Sequence, residues 1–387
     1  MRILELKTIM INGDRIKQAR ELRGLTQAEL AERIQINRGT LTHYEVGRYE
    51  PPEDILDAIT LQTGFPLAFF QQETAIDFPF GSLLFRARAS VTNKEKLKAH
   101  RYGQTMFEMM DILAQKFKDI QLRLPRQSRT DPQAAAIIAR SELSRSPEKP
   151  IENIIHMIEK SGVRVLAMPE HISGVDAYSV WAGFDEKRPT LIISMKGIPG
   201  DRLRLSVAHE LGHLVMHQWI KGSLDILERE AYQFAAEFLM PAAQMQGELA
   251  PPLNIETLKH LKEKWGVSIQ ALIRRSYDLQ LISVRQYRYL FYQIGKLGWR
   301  KAEPIFIPVE KPRLLRQMAE RLYGYPTIDY QKMASHMNLP VPFVKKVLES
   351  YAEQTSLPST EIEASSNQNK SQQNNIVPFR NKQKKSL

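Results

Sequence analysis

The sequence predicts a multidomain, mainly α protein with a five-helix N-terminal unit, an α+β middle holding a small sheet, and a helical C-terminal extension. Three observations carry this reading. Residues 13–72 hold short apolar-periodic segments, each with its own capping signal. Strand-length apolar runs cluster at "VRVLAM", "AYSVWAGF" and "PTLIISM". Helical periodicity then returns in "RLRLSVAHELGHLVMH" and continues to about residue 353.

The chain has 387 residues, enough for two or three domains. Apolar residues make up 43% and charged residues 25%, within the range of globular proteins. The formal charge of +11 favours a polyanionic partner, nucleic acid ahead of an acidic membrane surface. Cysteine is absent, which excludes disulfides and thiolate metal sites and fits a reducing cytoplasm. "MRILELKTIM" lacks the apolar run of a signal peptide, and no later run has the length to span a bilayer. A cytoplasmic location without a membrane partner is therefore expected.

Within residues 13–72, "GDRIKQARELRG" aligns Ile16, Ala19 and Leu22 on one stripe, and Gly24 stops the helix. Thr26 followed by Glu29 is a capping box for the next helix, which turns Leu30, Ala31 and Ile34 inward. Asn37 caps a third helix with Leu41 and Tyr44 on its apolar side. Pro51 and Pro52 open a fourth, and "PLAFF" closes the unit. Residues 73–149 read as a helical connector. It contains an apolar stretch, "FPFGSLLFRARA", a long helix between Lys94 and Lys118, a basic linker "RLPRQSRTDP" and the helix "PQAAAIIARSEL". Residues 150–250 hold "PIENIIHMIEKSG", the three strands and two helices. Residues 251–353 form a helical extension with two helical stretches over 254–295 and a pair at 330–348, the latter expected to cap the preceding domain, with a second DNA-binding helix pair exposing Lys345 and Lys346 as the alternative. The polar tail, 358–387, has nothing to bury and is expected to be disordered.

The second and third helices, separated by "QI", match a helix-turn-helix, in which one helix braces and the next presents its N-terminal residues to base edges. Arg38, Thr40 and His43 point away from the Leu41 and Tyr44 stripe. Arg38 is suited to guanine, Thr40 to a thymine methyl or a phosphate, and His43 to the backbone. Gln27 and Asn37, at the two helix starts, join the candidate DNA-binding set. Glu45 makes a poor DNA contact and is assigned an internal ion pair with Arg20. A plain helical bundle with a charged face is the alternative.

His209 and His213 are four residues apart, so both rings leave one helix face and can meet at one metal ion. Glu210 between them is the candidate base, taking a proton from water that zinc has acidified. A third ligand is needed, and the next helix offers Glu228, Glu230 and Glu237. Glu228 shares a face with Ala231, Ala235 and Leu239 and is preferred. Glu230 points elsewhere, toward Arg202 or Arg204. His217 lies a further turn along, beyond reach of the same small ion, and is assigned to the helix end or to support of a ligand. The alternative is a buried histidine paired with Glu210.

Two resemblances add to this. The frame Arg15, Ala19, Arg20, Gly24, Leu25, Thr26, Gln27, Leu30, Ala31, Leu41, Tyr44, Glu45, Gly47 and Pro51 resembles the Cro/CI or XRE class of repressor-type helix-turn-helix domains. Gln35 stands where that class usually places a turn glycine. "RLRLSVAHELGHLVMH" followed by "EREAYQFAAEFLMP" resembles the ImmA/IrrE family of zincin-like metallopeptidase domains. That resemblance implies Zn2+ held by His209, His213 and Glu228, with Glu210 as catalytic base. Tyr232 replaces the asparagine usual in the second motif. Together the resemblances imply a transcriptional regulator that binds double-stranded operator DNA, by expectation as a homodimer. Its endopeptidase domain would cleave a protein substrate such as a repressor, or the chain itself. A non-enzymatic regulator using the metal domain as a structural or sensory module is the alternative, with an antitoxin-type DNA-binding protein as a third.

Overall fold

The computed structural model describes residues 10–73, 77–83, 91–118, 120–127, 131–183, 187–218 and 223–352. The N-terminal unit contains α1 (Gly13–Leu22), α2 (Gln27–Arg33), α3 (Arg38–Glu45), α4 (Glu53–Thr63) and α5 (Leu67–Phe70). Thr26 and Glu29 form the reciprocal capping box of α2, and the Asn37 side chain accepts the Gly39 N–H at the start of α3. Ile16, Ala19, Leu30 and Leu41 are fully buried where these helices meet. The α2–α3 turn puts Gln35 in the left-handed region, at φ 56°. A non-glycine residue there costs roughly 1–2 kcal/mol, which the packed helices on either side hold in place. Arg20 and Glu45 form the expected ion pair, with Nη2 and Oε2 3.0 Å apart and both side chains buried.

A long helix, α6 (Asn93–Ala114), runs antiparallel to α1 through a buried polar seam. The Arg15 guanidinium donates to Glu108 at 2.7 Å, the Gln18 amide to the Thr105 hydroxyl at 2.9 Å, and Arg101 Nε to Glu21 at 2.6 Å. Arg101 also donates to Gln104 at 2.6 Å and to Asp14 at 2.9 Å. Contacts three and four residues apart on each helix fix one register between them.

The opposite side of α6 meets a three-stranded sheet of β1 (Arg164–Met168), β2 (Ala177–Ala182) and β3 (Arg188–Ser194), in the order β1-β3-β2. β3 is parallel to β1 and antiparallel to β2, so β2 is an edge strand. Side chains alternate between two cores. Tyr178, Val180 and Ile192 join the core that contains α6 and the N-terminal unit. Ala177, Trp181, Leu191 and Ile193 join a second core built on α7 (Pro132–Leu143), α8 (Ile154–Lys160), α9 (Gly200–Met216) and α10 (Leu224–Leu239). Helices cover both faces, which explains why the strands read as near-continuous apolar runs.

The stretch 251–353 divides between the two cores. α12 (Ile255–Trp265), α13 (Ile269–Asp278) and α14 (Val284–Lys296) follow the short α11 (Ala242–Glu248) onto the second core. Three helices form over 254–295 where the periodicity suggested two. Gly266 ends α12 in the left-handed conformation, and Ser268 and Ser283 cap the next two. α15 (Leu314–Tyr323), α16 (Tyr330–Met337) and α17 (Val341–Leu348) return to the first core. The pair at 330–348, expected as a cap on the histidine-helix domain, packs instead on α6 and the N-terminal unit. The Phe343 ring lies 5.7 Å from Tyr102 and 6.3 Å from Phe65, and this aromatic surface takes up the apolar stripe of α17. The tail at 358–387 lies outside the described residues.

Candidate metal centre

Two helices, α9 and α10, build the centre. They approach closely because Gly212 lies against the Phe234 ring, where a Cβ would come within 3.0 Å, and because Ala231 and Ala235 are buried beside it. One turn apart on α9, His209 and His213 bring their Nε2 atoms to 3.1 Å. Glu228 on α10 completes the group, with Oε1 3.1 Å from His213 Nε2 and Oε2 3.3 Å from His209 Nε2.

This donor set suits a divalent cation. Two imidazole nitrogens facing each other at 3.1 Å need a proton or a cation between their lone pairs, and the carboxylate supplies the balancing charge. Ligand atoms at bonding distance from a tetrahedral zinc lie about 3.3 Å apart, close to the separations found here. Burial alone would raise the Glu228 carboxyl; hydrogen bonds with His209 and His213, and their charge, outweigh it and hold the group well below the usual carboxylate range.

His217 stands behind His213 rather than with it. Its Nδ1 is 2.9 Å from His213 Nδ1, and its Nε2 is 3.0 Å from Glu230 Oε2. Burial, then the neighbouring His213, lowers its pKa against the opposing pull of Glu230. The sequence expectation that Glu230 meets Arg202 or Arg204 is corrected. One turn separates His213 from His217 on α9, and Glu230 sits across from the later turn. Arg202 pairs with Asp176 and Arg204 with Glu310. The Tyr232 ring lies 4.3 Å from that of His209 and is half-exposed.

Glu210 is fully buried. Its Oε2 accepts hydrogen bonds from the Ser82 and Ser179 hydroxyls, each at 2.7 Å. Sequence reasoning missed both serines. Each is a lone polar residue within an apolar stretch, "AYSVWAGF" and "FPFGSLLF", and that isolation was the available signal. Ser82 comes from a segment 128 positions away, a pairing no local pattern encodes.

The other candidate residues lie on α2 and α3. Arg38 is exposed at the first turn of α3, while Thr40 and His43 are half-buried along it. His43 sits edge-on to the Tyr49 ring at 5.3 Å. Asn37 Oδ1 holds the Gly39 N–H at 2.7 Å, and the Gln27 amide donates to Glu45 at 2.8 Å. The last two side chains therefore engage their own fold, leaving Arg38 as the most open polar group of the set.

Comparison with known families agrees with this division. Residues 16–70 match a family model described as Helix-turn-helix, and residues 158–277 match one described as IrrE N-terminal-like domain. A search of curated proteins finds no match to the chain. The second matched region spans β1–β3, α9 and α10, and so contains His209, Glu210, His213 and Glu228. The chain is an N-terminal XRE/Cro-type helix-turn-helix domain fused to an IrrE/ImmA-like peptidase domain.

Proposed function

We propose that this protein is a DNA-binding transcriptional regulator whose second domain is a zinc-dependent endopeptidase. The convergence of His209, His213 and Glu228, with Glu210 next to His209 in the sequence, carries the proposal. His209, His213 and Glu228 would hold a zinc ion, which would supply Lewis acidity toward a peptide carbonyl and an attacking water. Glu210 takes the proton from that water and returns it to the departing amine. His217, backed by Glu230, orients the His213 ring through Nδ1. In the N-terminal domain α3 enters the major groove of operator DNA, with Arg38 directed to a guanine edge. A protein substrate such as a partner repressor, or the chain itself, suits an endopeptidase tethered to an operator.

Mass spectrometry of new peptide termini tests the peptidase assignment. The zinc-loaded chain is incubated with operator DNA and candidate repressors. New termini that disappear in Glu210→Gln, with zinc retained, are the expected result. Termini that persist unchanged in that variant would remove Glu210 from the chemistry. A second reading, a metal domain with a structural or sensory task, is favoured by the complete burial of Glu210.

A further inference from the structure

Of the four residues at the centre only Glu228 is open: its side chain keeps 26% of its surface exposed, whereas His209 and Glu210 keep none. The closure comes from residues 77–83, which follow the helix-turn-helix domain. The Asp77 carbonyl accepts the Gly183 N–H at 2.8 Å, just past the end of β2. Five residues on, the Ser82 N–H donates to the Ser179 carbonyl at 2.9 Å, and the Ser179 N–H donates to Ser82 Oγ at 2.8 Å. The segment thus runs antiparallel to β2 along the edge that β3 leaves open. It lies tight against the strand, since a Cβ on Gly81 would stand 2.1 Å from the Ser179 carbonyl oxygen.

We propose that residues 77–83 are an internal occluding segment, occupying the β2 edge and the general base in place of an extended peptide. This rests on the reading of the α9–α10 centre as a peptide-cleaving site. An edge strand offers unpaired N–H and C=O groups to any extended chain, and the segment takes them. It takes them incompletely. Pro79, in the middle, has no N–H to give, so a peptide able to complete the ladder competes on favourable terms. Fixation comes from elsewhere: Asp77 pairs with Lys187, Phe78 packs at 5.5 Å from the His100 ring and 5.7 Å from Phe107, and Phe80 stacks on His100 at 4.0 Å. His100 and Phe107 belong to α6, the helix that carries the DNA-binding domain on its other side. The occupant of the β2 edge is thereby anchored to the element that holds the DNA reader.

The test uses the full chain in a Glu210→Gln background, so that binding is read without cleavage. The probe is a fluorescein-labelled, carboxymethylated insulin B chain, an extended peptide followed by anisotropy. Gly81→Val places a side chain against the Ser179 carbonyl and should release the segment. Hydrogen exchange at the Ser82 and Gly183 amides should accelerate, and the peptide should bind about tenfold tighter because the competent form is no longer the minor one. Lys187→Ala removes one anchor without a clash and should move both readouts the same way by a smaller factor. Freed amides with unchanged peptide affinity in either variant would overturn the proposal, as would amides that stay protected in both. Hydrolysis by the corresponding Glu210 chains reports separately on the peptidase assignment. Tighter peptide binding with no cleavage would retain the occlusion and discard the enzyme.

Discussion

His213 and Glu210 are neighbours on α9, and their substitutions should have opposite consequences for metal and chemistry. His213→Ala removes one of three ligands, so zinc measured per chain should fall from one toward none. Because metal binding adds to folding, the wild-type chain should gain about 4 kcal/mol of stability at a thousandfold excess of zinc over its dissociation constant, and the variant should gain little. Glu210→Gln should retain the zinc. His100 makes a separate prediction about acid. Burial, opposed by its bond to the Phe78 carbonyl, lowers its pKa from 6.5 to about 4. The folded chain therefore refuses a proton that the unfolded chain accepts. The stabilising contribution is whole above pH 6.5 and is lost as pH falls through about 4. The slope from this group is at most about 1.4 kcal/mol per pH unit within that window. Imidazole NMR should show one histidine titrating near pH 4, and a His100 titration near 6.5 would contradict the buried geometry.

Among the elements, α3 and the α1–α6 seam carry the clearest expectations. Arg38 is exposed at the start of α3, and Arg38→Ala should cost about 1–3 kcal/mol of discrimination between operator and altered sites. Equal weakening on all sequences, measured by competition binding, would make it a phosphate contact instead. In the seam, buried Arg101 holds the buried Glu21 and the partly exposed Asp14 of α1. Arg101→Ala leaves Glu21 buried beside a lost partner, a change worth about 3–5 kcal/mol, and should split one thermal transition into two as the N-terminal domain loosens from α6. An unchanged single transition in calorimetry would show that the apolar contacts alone hold the junction. These two elements differ in how far the sequence discloses them. The helix-turn-helix was legible because Thr26, Glu29, Asn37 and the left-handed Gln35 turn act within a few residues of themselves. The clustering of His209, His213 and Glu228 was legible because one helical turn and one alanine-rich face bring them together. The Gln18–Thr105 and Arg101–Glu21 contacts join residues 87 and 80 positions apart, and no local period records them. The same holds for Ser82 at Glu210, and for α17, whose apolar stripe was readable but whose partner surface was not.

At the scale of the whole molecule, a three-stranded sheet separates two cores, one shared with the helix-turn-helix domain and the other with the candidate metal centre. The helix α6 and the 77–83 segment both lie on the DNA-binding side of the sheet, and the segment reaches across the β2 edge to Glu210. A protein built this way places the reader of DNA and the proposed closure of the peptidase on one helix. Cleavage of peptide bonds at the centre on α9 and α10 is tested most directly by counting new peptide termini. Zinc-loaded chains with and without Glu210→Gln, each with and without Gly81→Val, should be compared at equal zinc content on operator DNA and candidate repressors. Termini are expected from both Glu210 chains, more of them when the 77–83 segment is displaced, with a loss of about 10²–10⁴-fold in rate on Glu210→Gln. Termini produced equally by the glutamine variants, or none from either Glu210 chain with zinc bound, would contradict it.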